Sequence, residues 1–163
     1  MNYRLEDINI EYSNDLLEIF QDYETLKHLS FEYISNMDMM EDFIMYYFYK
    51  SKDEDLPLAK VIIDDTNKVI GIVELHTKED SKYEVGIYLN SRYHKNNVGT
   101  VCLKMFIDLY KDKYKVFLFK CFDNNVGAIS LAKKLDFIYV GNEYRYRNFR
   151  KLKVNVFELK IGD

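Results

Sequence analysis

The chain has no tryptophan, one proline (Pro57), six glycines, two cysteines and three histidines in 163 residues. Each scarcity removes a class of explanation. So little glycine and proline leaves no collagen-like repeat, low-complexity tract or linker, so residues 1–163 are expected to form one domain, long enough to bury a core without covalent staples. Cys102 and Cys121 stand apart, with no Cys-x-x-Cys pair and no histidine beside them. Neither a metal site nor a disulfide framework is expected, and reduced cytoplasmic thiols fit best. No apolar run approaches the ~18 residues of a membrane span, and the charged start MNYRLEDINIEYSNDLLEIF does not read as a signal peptide. Net charge is −4 with acids and bases interspersed, so the basic footprint of a nucleic-acid partner is missing.

What remains is an ordinary globular balance, 48% apolar and 31% charged, with many aromatics: 15 Tyr and 11 Phe. Tyrosine joins an apolar body to a polar tip, which suits pocket walls and interfaces. A codon bias toward Tyr, Lys, Asn and Ile explains most of the excess without any mechanism. Leu16, Ile19, Phe20 and Tyr23 recur at helical spacing after Ser13-Asn14-Asp15, which can cap a helix. A second helix is read from about 37 to 50, with Met40, Phe43, Ile44 and Tyr47 on one face. Ser35-Asn36-Met37-Asp38 before it resembles a capping box with Asp in place of Glu.

The period then changes. LAKVIID (58–64) and VIGIVELH (69–76) flank Asp65-Thr66-Asn67-Lys68, a hairpin signal. YEVGIYL (83–89) reads as a strand with Val85, Ile87 and Leu89 on one face and Glu84, Gly86 and Tyr88 on the other. Val98, Val101, Cys102, Met105, Phe106 and Leu109 form a helical stripe. KVFLFKCF (115–122) reads as a buried strand, and Ala128, Ile129, Ala132 and Leu135 mark a short helix. FIYVG, EYRYRNF and KVNVFELKI close the chain as strands. The order β-α-α-β-β-β-α-β-α-β-β is that of an α/β domain with a mixed sheet. The strand-helix-strand unit from 83 to 122 implies a parallel pair with a right-handed crossover.

SRYHKNNVGTVCLKMF (91–106) joins that strand to its helix. A helix start offers amides without internal partners and the positive end of the dipole, so it can hold an anion. Gly99 lets a ligand come close, and His94 and Lys95 add positive charge. The loop lacks the Gly-Lys-Ser/Thr of a P-loop, and many helix starts are merely solvated. Taken with NNVGAISLAKKLDF (124–137), EVGIYLNSRYHKNNVGT (84–100) resembles the GCN5-related N-acetyltransferase (GNAT) superfamily. YRLEDINIEYSNDLLEIFQDYETLKHLSFEYI (3–34) is similar to its branch of spermidine and ribosomal-protein N-acetyltransferases, so the resemblance covers nearly the whole chain.

The resemblance implies a mixed, mostly antiparallel central sheet flanked by helices. One parallel strand-helix-strand unit would carry the cofactor loop, and acetyl-CoA would donate to a primary amine. In the family a Gln/Arg-x-x-Gly-x-Gly/Ala loop cradles the coenzyme A diphosphate. The matching positions here are His94, Lys95, Asn96, Asn97, Val98 and Gly99, with Thr100 next. His94 replaces Gln/Arg and Asn97 replaces the first glycine. Asn tolerates left-handed backbone better than other side chains, so binding is expected to survive. The pantetheine arm would follow the backbone of Ile87, Tyr88 and Leu89. Asn125, from the family's Asn-x-x-Ala, would touch the cofactor.

Acetylating an ammonium of pKa about 10 requires a proton acceptor. Glu84 is the first candidate and Glu74 the second; each could equally be a solvated carboxylate. The family's acid, a tyrosine in Asn-x-x-Ala-x-x-x-Tyr, falls at Ala132, which cannot donate. Either the thiolate leaves unaided or with water, or another tyrosine serves (Tyr139, Tyr144 or Tyr146, with Tyr144 carried forward), or the protein binds coenzyme A and turns over poorly. A missing acid costs ~10²–10⁴-fold rather than everything. Asp136 stands where the family has glycine and is expected to alter only a turn. His28 is expected at the surface, and His76 could line a pocket. EYRYRNFRKLK (143–153) mixes cations and aromatics as RNA-binding surfaces do, but its alternation fits a hairpin with the charges outward. Acids at Asp38, Glu41 and Asp42, and at Asp53 to Asp55, could draw a cationic amine or simply be solvated. Two readings follow: an N-acetyltransferase acting on a small-molecule or peptide amine, and a non-catalytic acyl-CoA-binding module. A homodimer through the Tyr- and Phe-rich last strands is a further expectation.

Overall fold

In the computed structural model, described for residues 2–28, 34–52, 56–77 and 79–162, seven strands run in the spatial order β1-β2-β3-β4-β5-β7-β6. They are β1 (Arg4–Asp7), β2 (Leu58–Ile63), β3 (Val69–Thr77), β4 (Tyr83–Leu89), β5 (Val116–Phe122), β6 (Ile138–Arg147) and β7 (Arg150–Lys160). All neighbours are antiparallel except β4 and β5. That exception is the crossover expected from the strand-helix-strand unit. The helices are α1 (Ser13–Gln21), α2 (Tyr23–Leu26), α3 (Met37–Lys52), α4 (Val98–Tyr110) and α5 (Val126–Lys134).

Two apolar layers sandwich the sheet. On one side α1 and α3 cover Ala59, Val61, Ile63 and Ile72 with Leu16, Ile19, Phe20, Met40 and Ile44. On the other, α4 packs Val98, Cys102, Leu103, Phe106 and Ile107 over Ile62, Val73, Val85 and Phe117. Each buried Val, Leu, Ile, Phe or Met among them contributes ~1.5–3 kcal/mol of transfer free energy. β2 feeds both layers because its side chains alternate.

Several local expectations are corrected. Tyr23 opens the separate α2 and is 74% exposed, so it is not part of the α1 core face. The caps also differ. Asp15 accepts from the Val69 amide (3.0 Å) instead of capping α1, tying helix to sheet. Asn36, not Ser35, caps α3 by accepting from the Met39 amide (3.0 Å). The α4 stripe is rotated: Val101 and Leu109 are exposed, while Leu103 and Ile107 are buried. FIYVG and EYRYRNF are one continuous strand, β6, with an irregularity between Tyr139 and Gly141. Asp38, Glu41 and Asp42 lie on the solvated face of α3, and Asp53 to Asp55 fall outside the described residues.

Candidate active site

β4 is paired to β3 along its whole length, from Tyr83–Thr77 to Leu89–Gly71. To β5 it is paired only at Tyr83, Glu84 and Val85. Beyond Val85 the two strands part, because β5 continues in register with β7 while the end of β4 is drawn the other way. There the Leu89 carbonyl accepts from Thr25 Oγ1 (3.1 Å) and His94 Nε2 (2.8 Å). Asp22 accepts from Thr25 and from the Ser91 amide (3.0 Å). Burial alone would raise the Asp22 carboxyl, but these hydrogen bonds outweigh it and hold it at about 2. A cleft of about 100 Å³ opens at the fork.

One end of the fork leads into the loop before α4. Tyr93 donates to Asp64 (2.8 Å), the buried carboxylate that also organises the β2–β3 turn through Thr66 and Lys68. Asn97 has φ 61° and ψ 6°, the left-handed conformation expected of it, and Lys95 has φ 67°. The first amide of α4 to return to the chain is Val101, which bonds Asn97 O (3.2 Å). The amides of Val98, Gly99 and Thr100 come before that ladder, after a left-handed residue, with Lys134 close by at Asn97 Oδ1 (3.2 Å). Helix-start amides with a lysine beside them are the chemistry that suits an anion such as a diphosphate. Gly99 also has a second reason to be glycine: a Cβ there would lie 3.0 Å from Leu131 Cδ1 of α5.

The other side of the fork carries three carboxylates on the α1–α3 face of the sheet, Glu74 buried and Glu84 and Glu143 partly exposed. Glu74 is 2% exposed and accepts from the hydroxyls of Tyr47 on α3 and Tyr88 on β4. His76 Nε2 lies 3.1 Å from Glu74 Oε1. Burial first, and then the charge of Glu74, push both phenols upward, so both stay protonated donors. Gly86 sits beneath them; a Cβ there would fall 2.9 Å from Glu74 Oε1 and 3.2 Å from the Tyr88 hydroxyl. Glu84 lies 3.6 Å from Lys120 Nζ and 3.6 Å from Arg145. Both cations also reach Glu143, at 2.8 and 3.0 Å. Burial would raise Glu143, but the hydrogen bond and charge of Lys120, with Arg145, hold it below the ordinary carboxylate range.

The remaining sequence candidates divide. Ile87, Tyr88 and Asn125 line the cleft, together with Glu74, Glu84 and His76. Leu89 is buried, with its carbonyl engaged as above. Asn125 Oδ1 caps α5 through the Ala128 amide (3.1 Å). Ala132 is fully buried in the α4–α5 core. Tyr139, Tyr144 and Tyr146 are 51%, 55% and 75% exposed, none lines the cleft, and Lys151 lies over the Tyr144 ring at 4.2 Å. The alternation of β6 therefore runs opposite to expectation: tyrosines face solvent, while Glu143 and Arg145 face inward. His28 lines the cleft and is not a plain surface residue; burial, with the charge of Lys27, lowers its pKa. Lys120, Arg145 and Tyr47 also belong to the site, and none of them is a candidate on sequence alone. A lone lysine inside VFLFKCF was the one readable sign, since a charge in a buried strand needs a partner. Among the described residues no cluster of His, Cys, Asp or Glu is arranged for a metal, and no helix is long and apolar enough to cross a membrane.

Residues 14–137 match the model of the Acetyltransferase (GNAT) family. No curated protein matches the chain by sequence. Among solved structures, the microcin C7 self-immunity acetyltransferase MccE, in complex with acetyl-CoA and AMP, superposes with a TM-score of 0.87 at 18% identity, over 98% of this chain and 92% of that one. The ribosomal L7/L12 alpha-N-protein acetyltransferase RimL, in complex with coenzyme A, gives 0.89 at 14% identity, over 99% and 95%. An N-acetyltransferase from Staphylococcus aureus Mu50 gives 0.79 at 18% identity, over 98% and 99%. At these identities the likeness is one of fold.

Proposed function

The chain belongs to the acetyltransferase (GNAT) family, and from that premise we propose that it acetylates a primary amine that enters the cleft over Glu74. The observation that carries this reading is the fork between β4 and β5, with the loop into α4 following the free end of β4 and the buried carboxylate of Glu74 in the cleft. The amides of Val98, Gly99 and Thr100 would hold the diphosphate of acetyl-CoA, and the main chain of β4 beyond Val85 would hold its pantetheine arm. When bound, acetyl-CoA supplies the thioester carbonyl.

The cleft's own residues do the rest. Glu84 and Glu143 pair with two cations, Lys120 and Arg145, which leaves the charge of Glu74 to draw an ammonium. Glu84 serves chiefly to hold Lys120 and Arg145, since both flank its carboxylate. Tyr144 has no part in this arrangement. The acceptor is a cationic small molecule or a peptide N-terminus.

The test is release of free thiol from acetyl-CoA across a panel of polyamines, amino sugars and peptides. Turnover of any amine supports the reading. A second reading, an acyl-CoA-binding module, is favoured by Ala132, which seals the family's acid position with core packing. Tight coenzyme A binding with an inert panel would establish it instead.

A further inference from the structure

We infer that α2 and the two residues after it form a strap across the mouth of the fork, and that Thr25 and Arg147 are the positioning residues that fix its two ends. This rests on the acetyl-transfer reading and assigns how the amine side of that same cleft is held.

One end of the strap is tied to β4. The Asn90 amide donates to the Ile70 carbonyl of β3 (2.8 Å). Main-chain groups alternate along a strand, so those of Leu89 point away from β3 and toward the fork. The pairing of β4 with β5 covers Tyr83 to Val85, so the Leu89 carbonyl lies beyond it. Thr25, the buried residue of α2, takes up that carbonyl. Its hydroxyl lies 3.1 Å from Leu89 O and 2.6 Å from Asp22 Oδ2, and shares its proton between them. Asp22 is the N-cap of α2 and also accepts from the Glu24 amide (3.2 Å) and the Ser91 amide (3.0 Å). One hydroxyl and one carboxylate thus fasten α2 to the last residue of β4 and to the loop that follows.

The other end is tied to the opposite half of the sheet. β5 and β7 pair as far as Phe122–Val154, whereas β6 and β7 go on to Arg147–Arg150. The β6–β7 hairpin therefore runs past the end of β5, at the open end of the fork. Arg147 is two residues beyond Arg145, so it shares the face that brings Arg145 to Glu84. There Arg147 Nη1 donates to the Lys27 carbonyl (3.2 Å). The last carbonyls of a helix lack partners within it, and an arginine can supply one. His28 follows directly. It lines the cleft with Glu74, with Ile87 and Tyr88 from one half of the sheet and with Arg145 and Val154 from the other. The wall at His28 keeps its place while both ends of the strap hold.

The two ends have different neighbours, which separates their effects. Thr25 shares the Leu89 carbonyl with His94 of the cofactor loop, while Arg147 holds Lys27 beside His28. The experiment measures kcat and KM for acetyl-CoA and for the amine panel with the full chain. Asn148, Phe149 and Arg150 beside Arg147 are exposed, so Arg147→Ala is expected to keep the wild-type urea midpoint and coenzyme A affinity. It should raise KM for the amine about 2–10-fold at unchanged kcat, the size of one lost hydrogen bond felt in binding. Arg147→Lys can still donate and should recover most of this. Thr25→Val should raise KM for both substrates, and Thr25→Ser, which keeps the hydroxyl, should restore both. Wild-type KM for every amine in Arg147→Ala overturns the inference and leaves acetyl transfer standing. Equal losses toward amine and acetyl-CoA in Arg147→Ala, with a lower urea midpoint, also overturn it, because they report general loosening. A wild type inert toward every amine overturns acetyl transfer, and hydrogen exchange then decides on the strap. Faster exchange of the Leu26 and Lys27 amides in Arg147→Ala supports it, and wild-type exchange there overturns it.

Discussion

Gly86 is where the chemistry of the cleft is most constrained by one missing atom. Its absent side chain is the space that Glu74 and the Tyr88 hydroxyl fill. Gly86→Ala is expected to destabilise the protein by ~1–3 kcal/mol, as overpacking does, and to displace the carboxylate. Urea denaturation and the acetylation rate check both effects. At this scale the sequence was partly readable. Alternation along YEVGIYL puts Glu84, Gly86 and Tyr88 on one face, and the structure keeps them there. Their order of importance was not readable. Glu84 reads as a free carboxylate because Lys120 is 36 positions and Arg145 61 positions further along the chain, and only the folded sheet brings them within 3.6 Å. Tyr47 likewise reads as plain core on α3, although its hydroxyl serves Glu74.

Elements are more legible in the sequence than the faces they bury. The hairpin β2–β3, the parallel pair β4–β5 and the helix α4 follow from local period and turn residues. The rotation of α4 does not, because several apolar residues lie around it and the sheet beneath decides which are covered. For β6, tyrosine is the more apolar partner in each Tyr-Arg step, so hydropathy alone points it inward. Pairing of Arg145 and Glu143 with Lys120 and Glu84 reverses that. Just after α5, Asp136 adopts φ 60° at an exposed site. Left-handed backbone strains a residue with a Cβ, and an acid at a helix C-terminus opposes the dipole. Asp136→Gly is therefore expected to stabilise the protein by up to ~1 kcal/mol, seen as a higher urea midpoint at unchanged slope.

For the whole molecule, acid is the vulnerable direction. Asp22 sits at about 2 in the folded protein against an ordinary 3.8, and Asp64 is also lowered, its hydrogen bonds from Thr66 and Tyr93 outweighing burial. A depressed carboxylate stabilises the fold fully above its unfolded pKa. That contribution fades as pH falls from about 4 toward about 2. Urea midpoints measured across this window should drop for wild type, and Asp22→Asn should start lower at neutral pH and fall less steeply. Asp22 and Asp64 both fasten the segment that follows β4, one from the start of α2 and one from the β2–β3 turn.

Those anchors belong to only one side of the sheet. Four strands lie on that side and three on the other, and strand pairing between β4 and β5 extends over three residue pairs. The sheet is thus two plates joined by a short seam, with α4 packed across it and a wedge-shaped opening between their free ends. A long, narrow guest lying along that opening would touch both plates at once and do the bracing that strand pairing does elsewhere.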